Sequence, residues 1–300
     1  DATAKYKYRL YKSVKFYNNN FIIVGGNPND KNKDQGKGII ITSSQNGSLW
    51  KLKKSNTDNL FRDIKYSKKL KLYIAVGDFG SITISKDLEN WIPVEAPNDS
   101  QICAIAYGNE TFITSGNYGT IHISKDGVNW KNIPRSQTGL YDGDLYKIGF
   151  GKKMFFTLGY DGRLYTSYDD GESWNLIDSG TTTNLYGAYF INDEFIAVGG
   201  AGTMIKSKDG KNWKKVNVNN HPYQFRAYAY ANDLHVLVGH KGYIFTSNDG
   251  INWVERDSKI STDILSIAYG NSMFVAVGAY GAILTSYDGI KWDLQMPYLR

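Results

Sequence analysis

Ser207-Lys208-Asp209-Gly210-Lys211-Asn212-Trp213 is one copy of a phrase, S-x-D-G-x-x-W, whose recurrence decides the fold. It returns from Ser124 to Trp130, from Ser247 to Trp253, from Ser286 to Trp292 and, with Leu88 in place of the glycine, from Ser85 to Trp91. Ser44-Gln45-Asn46-Gly47 carries Asn for Asp ahead of Trp50, and Ser167-Tyr168-Asp169-Asp170-Gly171 is one residue longer ahead of Trp174. All 7 tryptophans of this 300-residue chain close the same phrase, at spacings of 41, 39, 44, 39, 40 and 39 residues.

A second phrase, V-G-x-x-G, precedes the first at Val76 to Gly80, Val198 to Gly202, Val238 to Gly242 and Val277 to Gly281. Between the phrases apolar residues alternate with period two, as in Met273-Phe274-Val275-Ala276-Val277 and Ala282-Ile283-Leu284-Thr285, the pattern of half-buried strands. Gly-Asn steps, the G-x-x-G segment and the Asp-Gly segment each mark a tight turn, so one repeat reads as four antiparallel strands in a meander. Four strands in a period of about 40 residues are the mark of a propeller, whose blades bury their faces only against one another. The chain is therefore expected to be all-β: one seven-bladed β-propeller over 1–300, with blades near 1–56, 57–97, 98–136, 137–180, 181–219, 220–259 and 260–300.

The S-x-D-G-x-x-W phrase resembles the Asp-box of sialidases and related propellers; only Ser167, Asp169, Gly171 and Trp174 keep the full S-x-D-x-G-x-x-W spacing. The resemblance implies the fold and leaves function open, since a fold hosts many activities. A sialidase-like protein implies an arginine triad for the sugar carboxylate, whereas equivalent inner positions here offer only Arg62 and Arg226. Glycosidase chemistry, with Asp78, Asp161 or Asp263 as acid or base, is thus the alternative reading and no catalytic residue is assigned. A second alternative is a scaffold resembling the photosystem II assembly factor propellers, which would meet a partner through an arginine patch.

Six copies of the aspartate, Asp87, Asp126, Asp169, Asp209, Asp249 and Asp288, argue for turn residues rather than catalytic acids: a short carboxylate accepts hydrogen bonds from its own downstream amides. The tryptophans are expected on the outermost strands, filling the space between blades. Lys+Arg exceed Asp+Glu by 6 (35 against 29), an excess too mild to call for a nucleic-acid partner. The lone Cys103 rules out an internal disulfide. No run approaches the roughly 18 apolar residues of a membrane span. Asp30, Asn32 and Asp34 in the insert Asn27–Lys37 alternate like a calcium loop but lack the closing glutamate, and the four histidines have no ligand spacing; no metal or cofactor is expected. A composition rich in Tyr, Asn and Lys resembles surface proteins of AT-rich Gram-positive bacteria. An extracellular or wall-exposed monomeric domain of a larger surface protein is the expectation.

Function is expected on the face made by the G-x-x-G turns, which lies opposite the Asp-Gly turns. Their variable pairs are Asp78-Phe79, Asn117-Tyr118, Tyr160-Asp161, Gly200-Ala201, His240-Lys241 and Ala279-Tyr280. Phe79, Tyr118, Tyr160 and Tyr280 suit stacking on a sugar or anchoring a peptide, and His240 and Asp161 offer polar contacts. Aligned innermost strands place Lys12, Arg62, Cys103, Tyr146, Tyr186, Arg226 and Leu265 at one equivalent position at the channel mouth. There Arg62 and Arg226 beside Tyr146 and Tyr186 could grip a carboxylate, or instead plug the channel by pairing with Asp63, Asp144 or Asp263. The expectation is a non-catalytic binding module for a glycan or protein segment.

Overall fold

A computed structural model describes residues 9–27, 38–43, 49–219 and 222–295. They form seven four-stranded antiparallel sheets, each made of four consecutive strands in sequential order. The first blade runs Leu10–Tyr17, Asn20–Gly26, Gly38–Ser43 and Trp50–Lys53; the second runs Phe61–Ser67, Leu72–Gly77, Ile82–Ser85 and Ile92–Val94. The seventh ends the series with Ile264–Gly270, Met273–Gly278, Ile283–Ser286 and Asp293–Gln295. First strands touch first strands around the ring, and Leu10–Tyr17 returns onto Ile264–Gly270.

Local chemistry sets each turn. In six blades the hairpin between first and second strands holds two consecutive residues at positive φ, such as Asn232 (51°) and Asp233 (55°), the twist that a tight hairpin requires, while the longer hairpin of the second blade has only Lys71 there (50°). In the third turn Asp209 Oδ1 accepts from the amides of Lys211 (2.9 Å) and Asn212 (2.8 Å), Ser207 Oγ accepts from Gly210 N (2.9 Å), and Trp213 Nε1 donates to Gly210 O (3.1 Å). The aspartate and serine bonds recur at Asp87, Asp126, Asp249 and Asp288, and the indole bond recurs at Trp91, Trp130 and Trp292 but not at Trp253, whose Nε1 has no partner among the described residues. These aspartates act as turn braces; their own amide and Asn donors hold Asp126 down at about 2 despite the opposing effect of its slight burial.

The third-turn glycines also face the preceding blade. A Cβ on Gly289, whose φ is +71°, would stand 2.5 Å from Leu234 Cδ2 of the sixth blade. Leu88 replaces this glycine in the second blade, keeps the left-handed conformation (φ 66°), and fills the first–second interface with Ile22, Val24 and Ile40. The core is thus a series of interblade clusters rather than one central mass.

The tryptophans differ from expectation in two respects. All but Trp50 lie just before the fourth strand rather than within it. Trp50, Trp91, Trp174, Trp253 and Trp292 are buried, whereas Trp130 and Trp213 are only partly covered. Asp30, Asn32, Asp34, most of the Asn27–Lys37 insert, Ser44 to Gly47 and His221 lie outside the described residues. No helix among the described residues is long and apolar enough to cross a membrane.

Candidate functional site

Six G-x-x-G turns begin with the same clasp: Asp78 N donates to Leu60 O (2.9 Å), Asn117 N to Gln101 O (3.1 Å), Tyr160 N to Asp144 O (3.0 Å), Gly200 N to Asn184 O (2.8 Å), His240 N to Gln224 O (3.0 Å) and Ala279 N to Asp263 O (2.9 Å). The first glycine permits this close approach, since a Cβ on Gly278 would fall 1.9 Å from Asp263 O. The clasp ties each turn to the start of its own innermost strand. Tips and channel mouth therefore share one end of the ring.

In every blade the pairing of first and second strands skips one residue. The skipped residues are Lys12, Arg62, Cys103, Tyr146, Tyr186, Arg226 and Leu265, the same seven that sequence alignment sets at one level. A bulge leaves its extra residue out of the ladder and re-aims its side chain. Seven bulges in register thus build the ring at the channel mouth.

The ring is cationic on one side and aromatic on the other. Arg226 lays its guanidinium over Tyr186, 4.1 Å from the ring centroid, and Tyr186 lies 5.5 Å from Tyr146 between centroids. The Arg226 Nε is buried with no hydrogen-bond partner, and no carboxylate pairs with Arg226 among the described residues. Burial, with added repulsion from Arg62 and Arg226, lowers the Lys12 ammonium to about 8; burial, then Asp144 and Tyr186, raises Tyr146 to about 12. Arg62 is occupied: it makes a short ion pair with Asp78.

The plug forms from other residues than the arginines. Asp63 accepts from Lys147 Nζ (2.9 Å) and from Ser13 Oγ (2.8 Å). Lys147, on Leu145–Gly151 of the fourth blade, reaches past the third blade, whose innermost strand offers Ala104 and Ala106. Asp263 pairs with His240 Nδ1 (2.9 Å) and accepts from Lys241 N (3.0 Å). Of the carboxylates considered for glycosidase chemistry, Asp78 is thus held by Arg62 and Asp263 by His240.

The tips are as open as the sequence suggests. Phe79, Tyr118, Tyr160 and Tyr280 are 69%, 64%, 45% and 62% exposed, and no ring contact joins the four among the described residues. Phe79, Tyr118, Asp161, Lys241 and Tyr280 occupy the left-handed region, with φ of 52°, 53°, 51°, 52° and 56°. His240 and Asp161 are committed in part, the first to Asp263 and the second through its amide to Asn184 Oδ1 (3.0 Å). Sequence reasoning passed over Lys15, Lys65 and Lys147 on the innermost strands; the signal available was a lysine where most other blades carry Ala, Gly or Ser.

No family model matches the sequence, and no curated protein does. Solved structures with the same architecture are found at low identity. YCF48 from Cyanidioschyzon merolae is 15% identical over 94% of this chain and 96% of that one, with a TM-score of 0.71. YCF48 bound to D1 peptide is 18% identical over 75% and 77%, with a TM-score of 0.61. The WD40 propeller domain of Doa1 is 11% identical over 97% and 94%, with a TM-score of 0.66. At these identities the likeness establishes the shared fold, a seven-bladed β-propeller with four antiparallel strands per blade.

Proposed function

We propose that this propeller is a binding module that holds a protein segment across the G-x-x-G face, with an acidic side chain or chain end of that segment seated in the channel mouth. The observation that carries the reading is Arg226: its Nε is buried and unpartnered, its guanidinium is stacked on Tyr186, and Lys12 adds a second positive charge beside it. A buried donor left without a partner costs on the order of 1–3 kcal/mol, and a carboxylate would satisfy it with a charge-assisted bond. Phe79, Tyr118, Tyr160 and Tyr280 surround the mouth with apolar contact area at low entropic cost. The propeller solved as YCF48 bound to D1 peptide supports a peptide as ligand on this architecture.

Three of these tip aromatics sit where the backbone favours glycine or asparagine. Large aromatic side chains at positions of that backbone cost support a role outside folding. A peptide library of acidic and neutral segments, read by calorimetry against the full chain, tests the assignment. Selective binding of acidic peptides that weakens at least tenfold in Arg226→Ala is the expected result. Binding indifferent to peptide charge and to Arg226→Ala would overturn it, and binding of oligosaccharides instead would move the ligand to the glycan class.

A further inference from the structure

Beyond the Asp63–Lys147 pair, toward the end of the channel opposite the G-x-x-G turns, lies a cavity of about 210 Å³. Lys15, Asp63, Lys65, Lys147, Tyr17 and Tyr189 supply its polar lining. Small residues, Ala106 of the third blade, Gly149 of the fourth and Ala188 of the fifth, also line it. Three ammonium groups therefore share one carboxylate.

That carboxylate is already spent. Asp63 takes Lys147 and Ser13 and also accepts from its neighbouring amide, Ile64 N, at 3.0 Å. Lys15 and Lys65 have neither a hydrogen-bond nor an ion-pair partner among the described residues. Burial, and then repulsion from Lys15, lowers Lys65 to about 8; burial lowers Lys15 as well, with the attraction of Asp63 and the repulsion of Lys147 acting against each other. Enclosed charges of one sign are expensive unless a counterion joins them.

We propose that this cavity is a binding site for a small inorganic oxyanion, phosphate or sulfate, held between Lys15 and Lys65 with Lys147 as a third donor. The size fits that class. At roughly 30 Å³ per water the space takes a tetrahedral ion with part of its hydration, and it falls below the roughly 300–1,000 Å³ typical of organic-ligand sites. Amines on separate innermost strands would be drawn together by one ion, so the anion would tie the first, second and fourth blades across the channel. The site lies away from the tips and does not depend on the peptide reading.

The test is calorimetric titration of the full chain with inorganic phosphate at pH 7 and constant ionic strength, with sodium chloride as the balancing salt. The expected result is saturable one-to-one binding, displaced by sulfate, and weakened about tenfold or more in Lys15→Met and in Lys65→Met. Lys214→Met, on an outermost strand, should bind as the parent does. Asp63→Asn, which removes the competing carboxylate, should bind more tightly. Absence of saturable heat in the parent chain, or an affinity in both lysine variants equal to that of the parent, would overturn the proposal. An Arg226→Ala protein that loses the peptide yet keeps phosphate would separate the two sites.

Discussion

Trp292 and Trp213 close the same phrase, yet the first is fully buried and the second only partly so. Trp292 packs against Val236, Val238 and Ile244 of the preceding blade together with its own Phe274 and Leu284. Trp292→Ala should therefore cost about 3–5 kcal/mol through the cavity it leaves, and Trp213→Ala about 1–2 kcal/mol for the smaller area returned to water; equilibrium denaturation of the two variants measures the difference. Asp63 carries a pH signature. Burial alone would raise its carboxyl, but Lys147 and Lys15 hold it down at about 2, against about 3.9 in an unfolded chain. Because the folded value is the lower one, its contribution to stability is complete above about pH 4 and is lost as pH falls toward 2. In Asp63→Asn that segment of the stability curve should flatten. Lys65 has the opposite sign of consequence: its folded value is depressed to about 8, so its charged form destabilises the fold at pH 7 and the penalty fades as pH rises from about 8 to 10.5. Lys65→Met should raise stability by about 1–2 kcal/mol at pH 7 in phosphate-free buffer, read as a higher melting temperature.

The G-x-x-G turns are rigid frames that hold exposed rings. Gly116 N donates to Thr120 O (3.0 Å) and Thr120 N to Asn117 O (3.1 Å), which fixes Tyr118 at φ 53°. A bulky residue there costs on the order of 1 kcal/mol relative to glycine. Tyr118→Gly should thus leave stability unchanged or slightly higher, while the double variant Tyr118→Ala and Tyr280→Ala should abolish peptide binding with the melting transition retained. Unchanged affinity in that double variant would remove the tips from the site. Much at this scale was legible in the sequence. The alternation and turn residues located the strands, and aligning the innermost strands placed Arg62, Arg226 and the rest of the ring at one level. That worked because every blade carries its bulge at the same step. What the residues could not disclose was partnership. Arg62 finds Asp78 across its own hairpin, and Asp63 finds Lys147 two blades away, because small side chains at Ala104 and Ala106 leave the path open; such a meeting depends on ring closure, not on any local pattern.

At the scale of the whole molecule the repeats are near-equivalent but the ring has one distinct seam. Between the first and seventh blades, Tyr11, Val14 and Trp50 pack on Met273, Val275 and Val277, Val14 N donates to Ser266 Oγ (3.1 Å), and Gly281 N donates to Arg9 O (2.8 Å). Among the described residues these are the kinds of contact found at the other interfaces. A circular permutant with its original ends joined by a short Gly-Ser linker and new ends cut between residues 97 and 98 should fold to the same far-ultraviolet spectrum, with a loss of no more than about 2 kcal/mol from the added loop.

Among the described residues no strand is exchanged across that seam, so the ring they form has no strand latch there. A load applied to its two ends would meet the three-residue strand Asp293–Gln295 first, and peel it from Ile283–Ser286 one hydrogen bond at a time rather than shear the whole ladder together. Once the outer strand yields, the seam has, among the described residues, only side chains, one bridge and a few isolated bonds to resist separation. Stretching should then proceed as a train of small, blade-sized releases under low tension, so that a tethered copy would extend gradually, like a chain of weak springs, where a strand-latched propeller would hold and then snap.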